Sequence, residues 1–243
     1  MNGSQRIDLT GWGTQAELLE PMTGGARNLS WMLKIQGKTG VARLSRRSPL
    51  ALDWELDLMA AAAAAGVRTP GVVRTMNGRR HAGSIVIFEW VDGVTPESKR
   101  DWELVRDSLT QLHQSTRDWA QRPGFASTRD LLLHPRGGDV DFTRMPAGVV
   151  EACRQTWRAA MNEPMSAIHG DPSSNVLMVH GRPTFIDWDE SRVDASMLDL
   201  DLPELDLLLP AQRRALVAWE VACSWSTEPE YARRRLKQLE ALL

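Results

Sequence analysis

The sequence has few of the residues that mark several common classes of protein. Its 243 residues include two cysteines, Cys153 and Cys223, which lie far apart. Two cysteines are too few for a disulfide framework of the secreted type, and their separation indicates reduced thiols in a cytoplasmic protein. The net charge of −2 gives no general attraction to nucleic acid or to anionic membranes. Lysine is rare, at only four positions: Lys34, Lys38, Lys99 and Lys237. A basic role that lysine often fills is therefore expected to fall to arginine.

Long hydrophobic segments are missing as well. The longest weakly apolar run, residues 58–67, is mostly alanine. It is much shorter than the roughly 20 apolar residues that a membrane-spanning helix needs. Residues 1–9 have no apolar core of the kind found in signal peptides. The remaining composition, 42% hydrophobic and 25% charged, is that of an ordinary globular protein. We expect a soluble cytoplasmic protein without membrane or nucleic-acid partners.

Two short polar motifs lie close together in the second half of the chain. The first is His169-Gly170-Asp171-Pro172-Ser173-Ser174-Asn175, and the apolar run 176–179 follows it. A second apolar run, 183–186, leads into Asp187-Trp188. The two runs predict short strands with a turn at Gly181-Arg182, and together they predict a β-hairpin.

Such a hairpin would bring Asp187 close to Asn175 and Asp171, because its two strands fold back on each other. Carboxylate and amide oxygens are ligands that Mg²⁺ prefers, and one further carboxylate can orient a hydroxyl group. The arrangement therefore suits a site for a magnesium-bound nucleotide. A purely structural role is the alternative for either motif alone, since an Asp before a strand is often a turn residue or a helix cap.

The two motifs together resemble the aminoglycoside phosphotransferase family of the protein-kinase-like superfamily. The resemblance implies an α+β, two-lobed protein-kinase-like fold. A small N-terminal antiparallel β-sheet lobe with one helix is expected in residues 1–92, and a larger, mainly α-helical C-terminal lobe in residues 93–243. It also implies ATP and Mg²⁺ as cofactors.

The resemblance assigns roles to the residues of both motifs. By position, Asp171 is the catalytic base, His169 organises the catalytic loop, and Asn175 and Asp187 hold Mg²⁺. The family usually has four residues between this Asp and the Asn, whereas this chain has three. One residue of extended chain spans roughly 3.3 Å, enough to displace a metal ligand. Ser173, Ser174 or a water molecule are therefore alternatives to Asn175.

The N-terminal half carries the segments that the resemblance places around the nucleotide. Apolar runs at 31–35, 41–44 and 84–88 predict strands, and spacings of three and four residues predict a helix over 53–65. A glycine-containing loop precedes the second strand, where backbone N–H groups could approach phosphates, although an ordinary hairpin turn fits it too. The loop consists of Gly24, Gly25, Ala26, Arg27 and Asn28.

Further family positions fall on the strands and the helix of this half. Arg43 lies where the family has a basic residue that grips the α- and β-phosphates. Glu55 is the best match for the glutamate that pairs with this base, with Asp53 and Asp57 as competitors. The segment that resembles the adenine-binding hinge is Phe88, Glu89, Trp90 and Val91.

The C-terminal half is predicted to be helical over 102–119, 149–161, 211–225 and 228–243. Acidic residues concentrate between positions 187 and 206, and such a field would attract a cationic substrate. Asp189 and Glu190 are the candidate contacts, although some of these carboxylates are expected to be helix caps. His113 is expected to be a packing residue with a satisfied hydrogen bond.

The function expected from these features is that of an ATP-dependent small-molecule kinase. It would transfer the γ-phosphoryl group to a hydroxyl of a cationic substrate, with an aminoglycoside-type antibiotic as the first candidate. A kinase of a cationic metabolite, choline- or thiamine-like, is one alternative. A nucleotide-binding pseudoenzyme without transfer activity is the other.

Overall fold

The computed structural model describes residues 7–14, 16–22 and 28–243. The N-terminal part is an antiparallel five-stranded sheet in the order β1-β2-β3-β5-β4. Its strands are β1 (Ala16–Met22), β2 (Leu29–Ile35), β3 (Lys38–Leu44), β4 (His81–Ala82) and β5 (Ile85–Glu89). Between β2 and β3, Gln36 and Gly37 both have positive φ angles, of 50° and 77°. This is the two-residue turn that matches the twist of an antiparallel hairpin.

Helix α1 (Pro49–Ala64) lies between β3 and β4 in the chain. It begins four residues before the predicted start at residue 53, because Ser48 caps it. The Ser48 side chain accepts a hydrogen bond from the Ala51 N–H (3.2 Å), and Pro49 occupies the first turn. Both are standard signals of a helix start. Glu55 lies on the buried face of this helix.

A linker of nine residues, 90–98, joins the sheet to the helical part, and the predicted boundary at residue 92 falls within it. Four helices follow: α2 (Lys99–Ser115), α3 (Ala147–Ala159), α4 (Pro210–Ser224) and α5 (Pro229–Leu242). Each agrees with a predicted helix to within about four residues. Three two-stranded ribbons lie between them: β6 (Arg136–Gly137) with β7 (Val140–Asp141), β8 (Met165–Ile168) with β11 (Arg192–Ala195), and β9 (Val176–Val179) with β10 (Arg182–Phe185).

The predicted hairpin is the ribbon of β9 and β10. Val176 is paired with Phe185, and Val179 with Arg182. The turn is His180-Gly181, with positive φ angles of 51° and 71°, one residue earlier than predicted. The hairpin holds the two polar motifs side by side, because the Ile186 N–H donates to the Asn175 carbonyl at 2.9 Å.

Two large hydrophobic clusters support this architecture. One joins the two parts of the chain: Leu58 and Val86 pack in the same cluster as Leu109, Val176 and Phe185. The other lies within the helical part, among α3, α4 and α5. The fold is thus the predicted α+β arrangement, with a sheet lobe that carries one helix and a larger helical lobe. None of the helices in the described parts of the chain has the length and apolar character needed to cross a membrane.

Candidate active site

The loop after β8 is organised by a buried histidine. His169 is fully buried, and its ring packs against those of Phe185 and Trp188. Its Nε2 lies 3.0 Å from the Ile186 carbonyl oxygen, which can only accept, so Nε2 carries the proton. Its Nδ1 then accepts from the Asp171 N–H at 3.4 Å. This ring links the two polar motifs and is not exposed to a reacting group.

A second anchor of this loop is Asp199, which is also fully buried. Its carboxylate accepts from the backbone N–H groups of His169 and Gly170, both at 2.8 Å, and from His113 Nε2 at 2.9 Å. Burial raises the pKa of Asp199, but His113 and the backbone donors outweigh this effect and lower it below its ordinary value. His113 therefore has the satisfied hydrogen bond expected of it.

Asp171 is half-buried, and its carboxylate contacts Asn175. Asn175 Nδ2 donates to Asp171 Oδ2 at 2.9 Å and to the Asp171 carbonyl at 3.0 Å. The shortened loop therefore folds the amide back onto the aspartate. In this orientation the amide nitrogen is used within the loop, and Asn175 Oδ1 is the atom of this side chain that remains for a metal ion.

Asp187 follows β10 in a left-handed backbone conformation, with φ 50° and ψ 72°. A non-glycine residue in this region costs on the order of 1 kcal/mol, and such strain is common at functional sites. The side chain is exposed, and its Oδ1 accepts from Arg43 Nη1 at 3.2 Å. Asp187 thus lies next to Asn175 in the hairpin and next to the basic residue of β3.

Arg43 forms a buried ion pair with Glu55 of α1. The guanidinium also lies over the Phe88 ring, 5.1 Å from its centroid. Burial lowers the pKa of Arg43, but the carboxylates of Glu55, Asp189 and Asp187 outweigh it and raise the pKa above its ordinary value. Arg43 is therefore a fixed positive charge beside Asp187, as a phosphate-binding group would need to be. The competitors of Glu55, Asp53 and Asp57, instead pair with Arg80.

Glu55 has a second partner that no motif in the sequence indicates. Arg122, from the segment after α2, donates from Nη2 to Glu55 Oε2 at 2.7 Å. It is 1% exposed. Its Nη1 donates to the Asp189 carbonyl at 2.8 Å and to the Ser191 carbonyl at 3.0 Å. The sequence gives no signal for this residue, because its contacts depend on how the two lobes pack.

Asp189 does not have the role expected from the acidic composition of its segment. It is 3% exposed, and both carboxylate oxygens accept from Arg47, with Nη2 at 2.7 Å from Oδ2. Arg47 also pairs with Asp139 at 2.7 Å. Burial raises the pKa of Asp189, but Arg47 and Arg43 outweigh it and lower the pKa. The side chain is thus committed to an ion pair between the lobes rather than to a substrate, and this expectation is corrected.

The adenine-side residues lie at the end of β5 and the start of the linker. Phe88 is buried, whereas the side chains of Glu89 and Trp90 are exposed. The Glu89 and Trp90 N–H groups donate to the carbonyls of Gly71 (2.8 Å) and Thr39 (3.3 Å). Within residues 7–14, 16–22 and 28–243, no such partner is found for the Val91 N–H, so it remains available for a ligand.

Most of the predicted glycine loop lies outside the described residues: Gly24, Gly25, Ala26 and Arg27. Its last residue, Asn28, is buried, and its side-chain oxygen accepts from the Arg46 N–H at 3.4 Å. Asn28 therefore links the start of β2 to the segment that follows β3.

A cavity of about 260 Å³ opens directly beside Asp171. It is bounded by the loop 170–174, by the segment after β11 and by helices α4 and α5. Its acidic lining, besides Asp171, consists of Glu190, Asp199, Asp201, Glu220 and Glu228. Glu190, a predicted substrate contact, lines this cavity. Helices α4 and α5 supply two further carboxylates that the sequence did not indicate, because the helices are distant in the chain.

One of these carboxylates belongs to a small network on the two C-terminal helices. Tyr231 donates its hydroxyl proton to Glu220 Oε1 at 2.7 Å, and Arg235 pairs with the other oxygen. Burial raises the pKa of Glu220 by more than Arg235 and Tyr231 lower it. Trp219 also lines the cavity, and it gives the wall an aromatic surface among the acidic groups.

Comparison with known proteins identifies a family that matches the sequence and solved structures with a similar fold. A sequence model described as the phosphotransferase enzyme family (APH) matches residues 19–236. No curated protein sequence matches the chain. Among solved structures, a mutant aminoglycoside phosphotransferase APH(4)-Ia in a ternary complex with ADP and hygromycin B is similar at 16% identity. This match covers 93% of this chain and 92% of that one, with a TM-score of 0.65.

Two further structures extend the comparison to other named enzymes. Macrolide 2'-phosphotransferase type I is 15% identical over 92% of each chain, with a TM-score of 0.57. Spectinomycin phosphotransferase APH(9)-Ia, in complex with ADP and spectinomycin, is 11% identical. It matches 93% of this chain and 87% of that one, with a TM-score of 0.58. At these identities the likeness is one of fold.

Proposed function

Because the chain belongs to the phosphotransferase enzyme family, we propose that it is an ATP-dependent kinase of a cationic small molecule. It transfers the γ-phosphoryl group to a hydroxyl of that molecule. The observation that carries the proposal is the juxtaposition of Asp171 with an acidic cavity on one side and the Arg43–Glu55–Asp187 cluster on the other. The cavity is the site of the acceptor, and the cluster is the site of the nucleotide.

The donor set near Asp187 fits a magnesium ion that is held together with phosphate oxygens. Asp187 and Asn175 Oδ1 offer hard oxygen ligands, and Mg²⁺ commonly uses one or two protein oxygens besides substrate phosphates. The described residues contain no group of three or more His, Cys, Asp or Glu side chains that could hold a metal alone. Bound at Asp187 and Asn175, Mg²⁺ would neutralise charge on the transferring phosphoryl group.

The residues of the chain have distinct tasks in the transfer. Arg43 binds phosphate oxygens while Glu55 fixes its orientation, and the Val91 N–H donates to the adenine. Asp171 accepts the proton of the acceptor hydroxyl. At the same time the hydroxyl oxygen bonds to the γ-phosphorus, and the bond between that phosphorus and the departing ADP oxygen breaks. Positioning and charge neutralisation supply most of the acceleration.

The acceptor is a cation because the cavity beside Asp171 is lined by carboxylates on three sides. Glu190 comes from the segment after Asp187, Asp201 from the segment before α4, and Glu228 from the start of α5. Two similar enzymes have been solved with ADP and either hygromycin B or spectinomycin, which supports ATP as the donor. An aminoglycoside-type antibiotic is the first candidate acceptor, and a choline- or thiamine-like metabolite is the second.

A nucleotide-binding pseudoenzyme is the rival function, and one contact favours it. Asn175 is bonded to the Asp171 carboxylate, so the proposed base and one proposed metal ligand are tied together. Calorimetry of ATP binding with and without Mg²⁺, followed by a screen of cationic hydroxyl compounds for ADP release, separates the two. Magnesium-dependent binding with acceptor-stimulated ADP release supports the kinase. ATP binding without ADP release for any acceptor supports the pseudoenzyme. If ATP does not bind at all, both functions are overturned.

The assignment of Asp187 has its own test. Asp187→Ala should weaken the binding of Mg·ATP strongly and leave the binding of metal-free ATP nearly unchanged. Equal affinity of Mg·ATP for the wild type and for Asp187→Ala would remove this residue from the metal site. Asp206→Ala is the matched control, because Asp206 is an exposed aspartate that does not line the cavity.

A further inference from the structure

Arg122 contacts both parts of the nucleotide site at once. Its Nη2 donates to Glu55 Oε2 at 2.7 Å, and its Nη1 donates to the carbonyls of Asp189 (2.8 Å) and Ser191 (3.0 Å). Its Nε donates to the Ala51 carbonyl at 3.0 Å. We propose that Arg122 is a positioning residue that sets the place of the metal-binding Asp187 relative to the Arg43–Glu55 pair. The proposal rests on the function proposed above.

The first step concerns the segment that follows Asp187. The carbonyls that Arg122 binds belong to residues two and four positions after Asp187, at the end of the 3-10 turn Trp188–Glu190. Asp187 itself has a strained left-handed backbone, which persists only while its surroundings hold it there. Removal of Arg122 takes away two backbone contacts of this turn, so Asp187 can relax away from the position that faces Arg43.

The second step concerns helix α1. Glu55 is fully buried, and its two carboxylate oxygens are divided between two arginines. One oxygen accepts from Arg43 of the sheet lobe and the other from Arg122 of the helical lobe. Arg122 also binds the Ala51 carbonyl in the first part of the same helix. Arg122 therefore bridges the helix and the segment after Asp187.

The third step explains why this side chain is an arginine. The planar guanidinium offers five N–H donors in a fixed arrangement, whereas a lysine ammonium offers three around one point. At Arg122 the donors reach one carboxylate and several carbonyls in different directions. The guanidinium also stacks on Phe125, 4.5 Å from the ring centroid. Lysine would keep the charge but could not make the whole set of contacts.

The test compares the affinity for AMP-PNP with and without Mg²⁺ by calorimetry, because the ratio of the two reports the metal site and not general stability. Arg122→Met and Arg122→Lys are the test variants. Arg154→Met is the matched control. Arg154 also donates to a carbonyl, that of Leu131 at 3.0 Å, and stacks on a phenylalanine ring, but it lies away from the nucleotide site. Thermal unfolding of each variant is measured alongside.

The expected result is that the Mg²⁺-dependent gain in affinity falls at least tenfold in Arg122→Met and to an intermediate extent in Arg122→Lys. Arg154→Met should keep the wild-type gain despite a lower melting temperature. If Arg122→Met does not fold, the reduced gain of Arg122→Lys is the result that supports the proposal. A wild-type gain in every folded Arg122 variant, or an equal loss in Arg154→Met, would overturn it. If the wild type does not bind AMP-PNP at all, the proposed function fails too.

Discussion

Replacement of Glu55 by glutamine should destabilise the protein far more than a typical surface substitution. The Glu55 carboxylate is fully buried between the guanidinium groups of Arg43 and Arg122. Glu55→Gln removes the negative charge that these two cations share and turns one of its two acceptors into an N–H donor that faces an arginine. Both arginines then keep a buried positive charge that is no longer matched at this point.

The magnitude follows from the burial and from the two contacts. Removal of one partner from a buried ion pair costs about 3–5 kcal/mol. A hydrogen bond to a charged group, at about 1.5–3 kcal/mol, is a contribution of similar order. For a chain of this size, 1 kcal/mol changes the melting temperature by about 2–4 °C. We therefore expect Glu55→Gln to lower the melting temperature by about 6–20 °C.

The assay is thermal and urea unfolding of the wild type, Glu55→Gln and a matched control, Glu151→Gln. Glu151 pairs with Arg158 at 2.7 Å, but its side chain is 62% exposed. An exposed pair of this kind contributes about 0–1 kcal/mol. If Glu55→Gln and Glu151→Gln had equally small effects, the buried Arg43–Glu55–Arg122 arrangement would not exist in solution.

Three further predictions follow from the site and its surroundings. Arg43→Lys keeps the charge but loses the contact with Phe88 and the hydrogen bond to Asp187, so steady-state kinetics should give a KM for Mg·ATP that is raised several-fold. Glu190→Gln, at the cavity, should raise the KM for a cationic acceptor roughly tenfold, or about 1.4 kcal/mol, with kcat nearly unchanged; an unchanged KM would remove this residue from the acceptor site. Burial raises the pKa of the Cys153 thiol from 9.0 to about 12, so the unfolded thiol ionises first. The protonated Cys153 thiol therefore contributes fully to the free energy of unfolding below pH 9, and this contribution is lost as the pH rises from 9 to 12. In urea unfolding, the free energy of unfolding of Cys153→Ala should therefore fall less between pH 9 and 12 than that of the wild type.

Much of the fold could be predicted from local patterns because these are also the physical causes of the elements. The apolar runs on each side of His180 and Gly181 form a hairpin because they are too short for helices and are separated by residues that tolerate positive φ. The periodicity predicts helix α1 but places its start four residues too late. The cap signal, a serine followed by a proline at residues 48 and 49, would have given the correct start.

The residues alone predicted the candidate site where motif residues are adjacent in the chain, whereas the Arg43–Glu55 pair was expected only from the family resemblance. Asp171, Asn175 and Asp187 are carried by one hairpin, so their proximity follows from a local turn. Arg122 meets Glu55 through the packing of the two lobes, and α4 and α5 reach the cavity through the C-terminal core. The acidic composition of one segment also led to a wrong prediction, a substrate contact at Asp189. Asp189 lies in an acidic segment, but its neighbour in space is Arg47, 142 positions away.

The most direct test of the account is phosphoryl transfer from γ-labelled ATP to a panel of cationic hydroxyl compounds by the wild type and by Asp171→Ala. The wild type should give labelled product with at least one acceptor. Asp171→Ala should give no product but should still bind Mg·ATP with nearly wild-type affinity. Transfer by Asp171→Ala at the wild-type rate, or loss of nucleotide binding together with transfer, would contradict the role of Asp171 as the base beside the acidic cavity.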